Sequence, residues 1–170
     1  RTREIHDRVY LLSNQGVLTA GSYDHLDVGY NYRLTNLQAA LLVGQFKRLD
    51  EIIARKRQIQ RWYEERLEGW TLGRMIEMTE SEVPWLFSLV ASDGESAGRI
   101  KEGLTGARIE FRSAFVPIPA LKPYGAMREA ELAERFPNAH YWSRHLISLP
   151  SALSLAEEQV DRIASALKTV

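Results

Sequence analysis

Hydrophobic positions recur at helical spacing through the first seventy residues and switch to alternation afterwards. Residues 3 to 14 bring Ile5, Val9, Tyr10 and Leu12 to one side, which predicts a helix ending near Gly16. No period runs through 16 to 34, where Gly16, Gly21, Ser22, Asp24 and Gly29 punctuate the chain. A loop of that length inside a compact domain is usually functional or interfacial. From 35 to 68 the helical period returns. Leu37, Ala40, Leu41 and Phe46 form one apolar set, and Leu49, Ile52, Ile53, Ile59, Trp62, Tyr63 and Leu67 form a second. The pattern predicts helix throughout, with a bend near Leu49-Asp50 and a stop at Gly69.

Alternation begins at Val83. Val83, Trp85, Phe87, Leu89 and Ala91 predict a strand over 83–91, and Asp93-Gly94 a turn. A helix over 95–104 turns Ala97, Ile100 and Leu104 inward, and a second strand is expected over 108–111. Arg112 to Pro119 contains two prolines and cannot be a central strand. A short helix over 126–136 follows, and Pro137 suits the first position of another helical turn. Leu146 to Leu149 reads as a strand stopped by Pro150. Ser154 with Glu157 reads as a capping box for a last helix, whose buried stripe is Val160, Ile163, Ala164 and Leu167. The fold class expected is α+β, a small sheet covered by helices.

Composition removes several function classes. The chain is 45% hydrophobic and 26% charged, with 22 basic and 22 acidic side chains. A zero net charge argues against a nucleic-acid partner. The run Arg55-Lys56-Arg57 is offset by Asp50, Glu51, Glu64, Glu65 and Glu68, and so reads as a solvated face. Cysteine is absent, which leaves no disulfide and no thiolate metal site; no metal is expected. No apolar run approaches membrane-spanning length and no secretory signal appears, so a cytoplasmic setting is expected.

The densest chemistry lies in 27–40. Gly29 allows close backbone approach. Asn31, Tyr32 and Arg33 supply an amide, a phenol and a guanidinium within three residues. Thr35 or Asn36 can cap the helix that follows. Donors beside a helix N-terminus suit an anion such as a phosphate. A well-capped helix after a structural loop is the other reading, and local chemistry leaves both open.

The run Gly29-Tyr30-Asn31-Tyr32-Arg33-Leu34-Thr35-Asn36-Leu37-Gln38-Ala39-Ala40, with Gln45 and Arg48-Leu49-Asp50 after it, resembles the DegT/DnrJ/EryC1/StrS family of pyridoxal-phosphate-dependent nucleotide-sugar aminotransferases. Arg108 to Arg112, Phe115 to Ile118, Lys122 to Tyr124, Leu146 to Pro150 and Leu155 to Val160 extend the resemblance to nearly the whole chain. At Pro119 many members carry a histidine, and the pattern is closer to the perosamine-synthase-like branch.

The resemblance implies the C-terminal part of a fold-type I aminotransferase. Residues 1–48 would end the large cofactor-binding domain and carry an interface loop, and 49–170 would be the small domain. It implies pyridoxal 5'-phosphate as cofactor, a homodimer sharing active sites, a nucleotide-linked keto-6-deoxysugar as acceptor and glutamate as donor. Asn31 would bind the cofactor phosphate of the partner subunit. Arg33 would hold a carboxylate or phosphate, or form an interfacial salt bridge. Tyr30, Tyr32 and His25 would line the sugar-nucleotide channel or pack at the interface. Arg112 and Phe115 match positions near the active-site mouth. The Schiff-base lysine belongs to a motif that none of Lys47, Lys56, Lys101, Lys122 and Lys168 occupies, so no catalytic residue is expected here. That motif would lie upstream of Arg1, and the chain alone should not transaminate. Two alternatives remain: a sugar dehydratase of the same family, and a non-catalytic dimerisation module built on 35–68.

Overall fold

The computed structural model describes residues 2–17, 24–79 and 81–170. The expected turn residues Gly21 and Ser22 lie outside them. The backbone divides into two compact units, Arg1–Leu49 and Asp50–Val170.

The first unit holds two helices, α1 (Arg3–Ser13) and α2 (Asn36–Phe46). α1 stops because Gln15 (φ 62°) and Gly16 (φ 77°) turn left-handed. α2 starts on a reciprocal cap. The Gln38 amide donates to Thr35 Oγ1 at 3.3 Å, and the Thr35 amide donates to Gln38 Oε1 at 2.9 Å. Neither helix buries a residue, and Leu37 and Phe46 stay 74% and 71% exposed.

The single helix expected over 35–68 is two. α2 ends at Phe46, a turn follows at Lys47-Arg48, and α3 runs Leu49–Arg66. The break lies within two residues of the bend expected near Leu49-Asp50, and it interrupts the helix instead of bending it. Of the second apolar set, Ile59, Tyr63 and Leu67 are buried while Leu49 is exposed.

The remaining elements of the second unit are β1 (Gly73–Met75), β2 (Phe87–Ala91), α4 (Gly94–Gly106), β3 (Arg112–Ser113), α5 (Glu129–Arg135), α6 (Pro137–His145), β4 (Leu146–Leu149) and α7 (Glu157–Lys168). The strands form one antiparallel sheet in the order β1-β2-β4-β3. Register aligns Phe87 with Leu149 and Leu89 with Ile147. Period two then sends Phe87, Leu89, Ala91, Ile147 and Leu149 to one face. They meet Ile59, Tyr63 and Leu67 of α3, Ala97, Ile100 and Leu104 of α4, and Val160, Ile163, Ala164 and Leu167 of α7. Off the core side, Ser88 and Ser148 face each other across the ladder with their hydroxyls 2.8 Å apart.

Three local expectations are corrected. The β2 strand is shorter than 83–91, because Val83 and Trp85 are exposed and unpaired with the sheet. The strand placed at 108–111 is found at 112–113, since Arg108 (φ 55°) and the Ile109 amide, bonded to Leu104 O at 2.8 Å, still close off α4. Ser154 does not cap α7. Leu155 is drawn into the core, the helix begins at Glu157, and the Ala156 amide donates to Gln159 Oε1 at 2.8 Å.

Two residues of the basic run on α3, Arg55 and Lys56, are not simply a solvated face either. Arg55 donates to Leu153 O at 3.2 Å and Leu155 O at 2.8 Å, and its guanidinium lies 4.8 Å from the Trp62 ring centre. Lys56 donates to Trp85 O at 3.0 Å and Ser151 O at 2.5 Å. Among the described residues Arg55 and Lys56 pair with main-chain carbonyls rather than with acids: Leu153, Leu155 and Ser151 after β4, and Trp85 before β2.

Candidate functional site

The end of α1 and the polar loop are laced together by main chain. The Tyr30 amide donates to Leu12 O at 2.7 Å, Tyr32 to Ser13 O at 3.0 Å, Gln15 to Tyr30 O at 3.0 Å and Leu26 to Gly16 O at 2.8 Å. Two glycines make the approach possible. A Cβ on Gly16 would sit 1.9 Å from Asp27 O, and one on Gly29 would sit 2.2 Å from Gly16 N. Arg8 bridges to Asp27 at 2.5 Å, and the Val28 amide donates to Asp27 Oδ1 at 2.7 Å. The Val28 bond first, and then Arg8, hold the Asp27 carboxyl below its ordinary value of 3.8.

Gln15 is the hub of the side-chain arrangement. His25 Nδ1 donates to Gln15 O at 2.7 Å, and Arg33 Nη2 donates to Gln15 Oε1 at 3.4 Å. A carbonyl only accepts, so Nδ1 carries a proton. Arg33 Nε donates to Asn31 Oδ1 at 3.3 Å. That bond fixes the amide orientation, because Arg33 has only donors: the Asn31 oxygen turns inward and its NH₂ is left to donate elsewhere. The Tyr30 and Tyr32 rings stack at 5.3 Å and 12°. The structure therefore gathers Asn31, Arg33, Tyr30, Tyr32 and His25 about one glutamine. Sequence reasoning missed Gln15, and its only signal was its place just before Gly16 at a helix end.

An exposed amide NH₂ beside a guanidinium is donor-only chemistry, which fits an anionic phosphate. Among the described residues no cluster of His, Asp or Glu is arranged for a metal ion, and no helix is long and apolar enough to cross a membrane.

Arg112 and Phe115 belong to the second unit. Phe115 is 87% exposed. Arg112 lines a cleft of about 460 Å³ bounded by Trp85-Leu86, Glu110–Arg112 and residues 148–152. Lys56 spans two of its walls through the Trp85 and Ser151 carbonyls, and burial pushes its amine down. Beneath the cleft Tyr63 donates to Pro150 O at 3.0 Å, and burial pushes its phenol up.

The model of the DegT/DnrJ/EryC1/StrS aminotransferase family matches residues 1–168, and the chain belongs to that family. GDP-perosamine synthase of Vibrio cholerae is 34% identical over 167 residues, which are 96% of this chain and 45% of the relative. The enzyme of the same name from Caulobacter vibrioides is 30% identical over 170 residues, 96% of this chain and 44% of the relative. A putative sugar aminotransferase from Streptococcus pneumoniae, Spr1654 in its PMP form, superposes with a TM-score of 0.84 at 22% identity, covering 99% of this chain and 45% of that one. The fold is thus one found within solved sugar aminotransferases. The chain spans a little under half the length of the curated relatives it matches. Pyridoxal 5'-phosphate is the family's cofactor: one relative is named for it, and Spr1654 is also solved in a PLP form.

Proposed function

We propose that this chain is part of a PLP-dependent aminotransferase that moves an amino group from glutamate to a keto-6-deoxysugar carried on a nucleotide. The observation that carries this reading is the oriented Asn31 amide beside Arg33, in a chain of this family. When bound, the cofactor supplies the electron sink that the amino transfer needs.

The chain's own residues would bind and orient. The Asn31 NH₂ would donate to the cofactor phosphate. Being neutral, it leaves that phosphate its double negative charge. Arg33 would add a fixed positive charge, its geometry set by Gln15 and Asn31. Tyr30, Tyr32 and His25 would form an aromatic wall for the substrate, and Arg112 and Phe115 would be further substrate contacts. As the resemblance implies, the loop would serve the cofactor of a partner subunit in a homodimer, and the covalent lysine would come from residues outside these 170. A cytoplasmic setting accords with the family. The relatives named GDP-perosamine synthase favour guanosine diphosphate as the carrier. No feature of this chain favours the dehydratase alternative.

The test uses the full-length enzyme that carries this chain, supplied with glutamate and a GDP-linked keto-6-deoxyhexose. An aminated sugar seen by mass spectrometry is expected; unchanged substrate with normal cofactor content overturns the reading. Asn31→Ala should weaken PLP retention about tenfold, the worth of one hydrogen bond to a charged group. Unaltered retention removes Asn31 from the assignment. The 170-residue chain, mixed with PLP and borohydride, should trap no stoichiometric lysine adduct, and trapping one would place the covalent lysine within it.

A further inference from the structure

The cleft of the second unit has features beyond the Arg112 contact used above. Its walls carry two charged side chains, Glu110 and Arg112, two residues apart. Both are exposed, and neither has a hydrogen bond or ion pair among the described residues. Oppositely charged neighbours left unpaired in a cleft are available to a ligand. Trp85 stands at the rim, 70% exposed, although it opens the segment that leads into the buried strand β2. An aromatic face of that size beside polar side chains is a stacking platform. The walls are held from behind: Lys56 clamps the carbonyls of Trp85 and Ser151 on opposite sides, and Arg55 ties down Leu153 and Leu155. The turn after β4 is therefore fixed to α3 before any ligand arrives.

The charges of Glu110 and Arg112 cancel, and the carboxylate repels a diphosphate. The cleft suits a flat, neutral group whose edge both donates and accepts. A carboxylate is best used by two adjacent donors, and a guanidinium by a carbonyl or ring-nitrogen acceptor. Among the common nucleobases guanine alone offers both: neighbouring N1–H and 2-amino donors, with O6 beside them. Arginine is also the usual partner of guanine O6 and N7.

We propose that this cleft seats the guanine base of the nucleotide sugar, with Trp85 as its stacking face, Glu110 and Arg112 as its hydrogen-bonding edge, and Lys56 as the positioning residue that sets the distance between the walls. The proposal rests on the nucleotide-sugar reading above and names which part of the ligand this unit takes.

Isothermal titration of the 170-residue chain with GMP, IMP, AMP and inorganic phosphate tests it. GMP is expected to bind about tenfold more tightly than IMP or AMP, since IMP lacks the 2-amino donor and AMP presents the wrong edge. Trp85→Ala should cost about tenfold in GMP affinity. Glu110→Gln, at an exposed position with little bearing on folding, should erase the preference for GMP over IMP. Lys56→Met should weaken all three nucleotides together, and Lys56→Arg should restore them. No binding of GMP, equal binding of GMP and phosphate, or a Trp85→Ala chain that binds as before would overturn the proposal. The donor half of the reaction, read as 2-oxoglutarate released from glutamate by the full-length enzyme, does not involve the cleft. If it proceeds while the chain shows no GMP preference, the base seat alone falls. If it is absent while the preference holds, the aminotransferase reading alone falls.

Discussion

The two units differ in what holds them together. Asp50–Val170 buries a continuous core in which Ile59, Leu89, Ile100, Leu104, Ile147, Val160 and Leu167 are wholly inaccessible. Arg1–Leu49 is no less apolar in composition, yet its helices bury nothing. Leu37, Leu41, Leu42, Val43 and Phe46 of α2 are all more than half exposed. Its order comes from main-chain bonds between loop and helix end, from the Thr35–Gln38 cap and from the Arg8–Asp27 pair. One unit is shaped by hydrophobic burial, which is strong and undirected. The other is shaped by hydrogen bonds, which are weak singly but fix the orientation of polar groups. The difference matches the work proposed for each: the Asn31 loop would present donors at defined angles, whereas the sheet unit would be a rigid wall.

Replacing a core side chain should break the second unit. Ile147→Ala is expected to cost about 2–5 kcal/mol in chemical denaturation. A loss as large from Leu41→Ala in α2 would erase the contrast, because an exposed apolar residue away from special features should shift stability by less than about 0.5 kcal/mol.

Gly29→Ala should sit between these effects. Its Cβ has no room against Gly16 N, so the loop must part from α1. Hydrogen exchange should then show the Tyr30 and Tyr32 amides losing protection while those of β2 and β4 keep theirs. Equal loss in both units would mean that they unfold together.

The smallest effect is that of acid. The Asp27 carboxyl is held below its ordinary value of 3.8, so its contribution is present above that pH and disappears as pH falls through the lowered value. The Val28 amide should become more exchangeable only in that acid range. Asp93, which caps α4 by accepting from the Ser96 amide at 2.7 Å, is lowered chiefly by that bond and should lose its cap in the same range. The core beneath α4 should hold the second unit folded there, and its collapse at that pH would count against a core-dominated unit.

The sheet unit was largely legible because its signals are local and repeated. Phe87-Leu89-Ala91 and Leu146 to Leu149 gave the central strands, Ala97-Ile100-Leu104 and Val160-Ile163-Ala164-Leu167 gave the covering helices, and Pro137 marked the start of α6. β1 went unread because three residues, Gly73 to Met75, carry no period. The start of α7 was misplaced because Leu155 is worth more in the core than Ser154 is as a cap. Arg55 and Lys56 were read as solvated because carbonyl partners almost a hundred residues away leave no trace in local charge pattern. In the loop, the residue types of the candidate site were readable, but Gln15 was not. Its role comes from a left-handed turn that brings it beside residues ten and eighteen positions on.

The sequence by itself determined the family, the α+β class and the polar loop leading into a capped helix, because motif order, hydrophobic period and cap chemistry are all written along the chain. Tertiary structure alone decided the antiparallel strand order, the meeting of Gln15 with His25 and Arg33, and the clamping of the cleft by Lys56. Each of these depends on groups distant in sequence meeting within hydrogen-bond reach, and the order of residues along a chain does not specify such meetings until burial has chosen one packing.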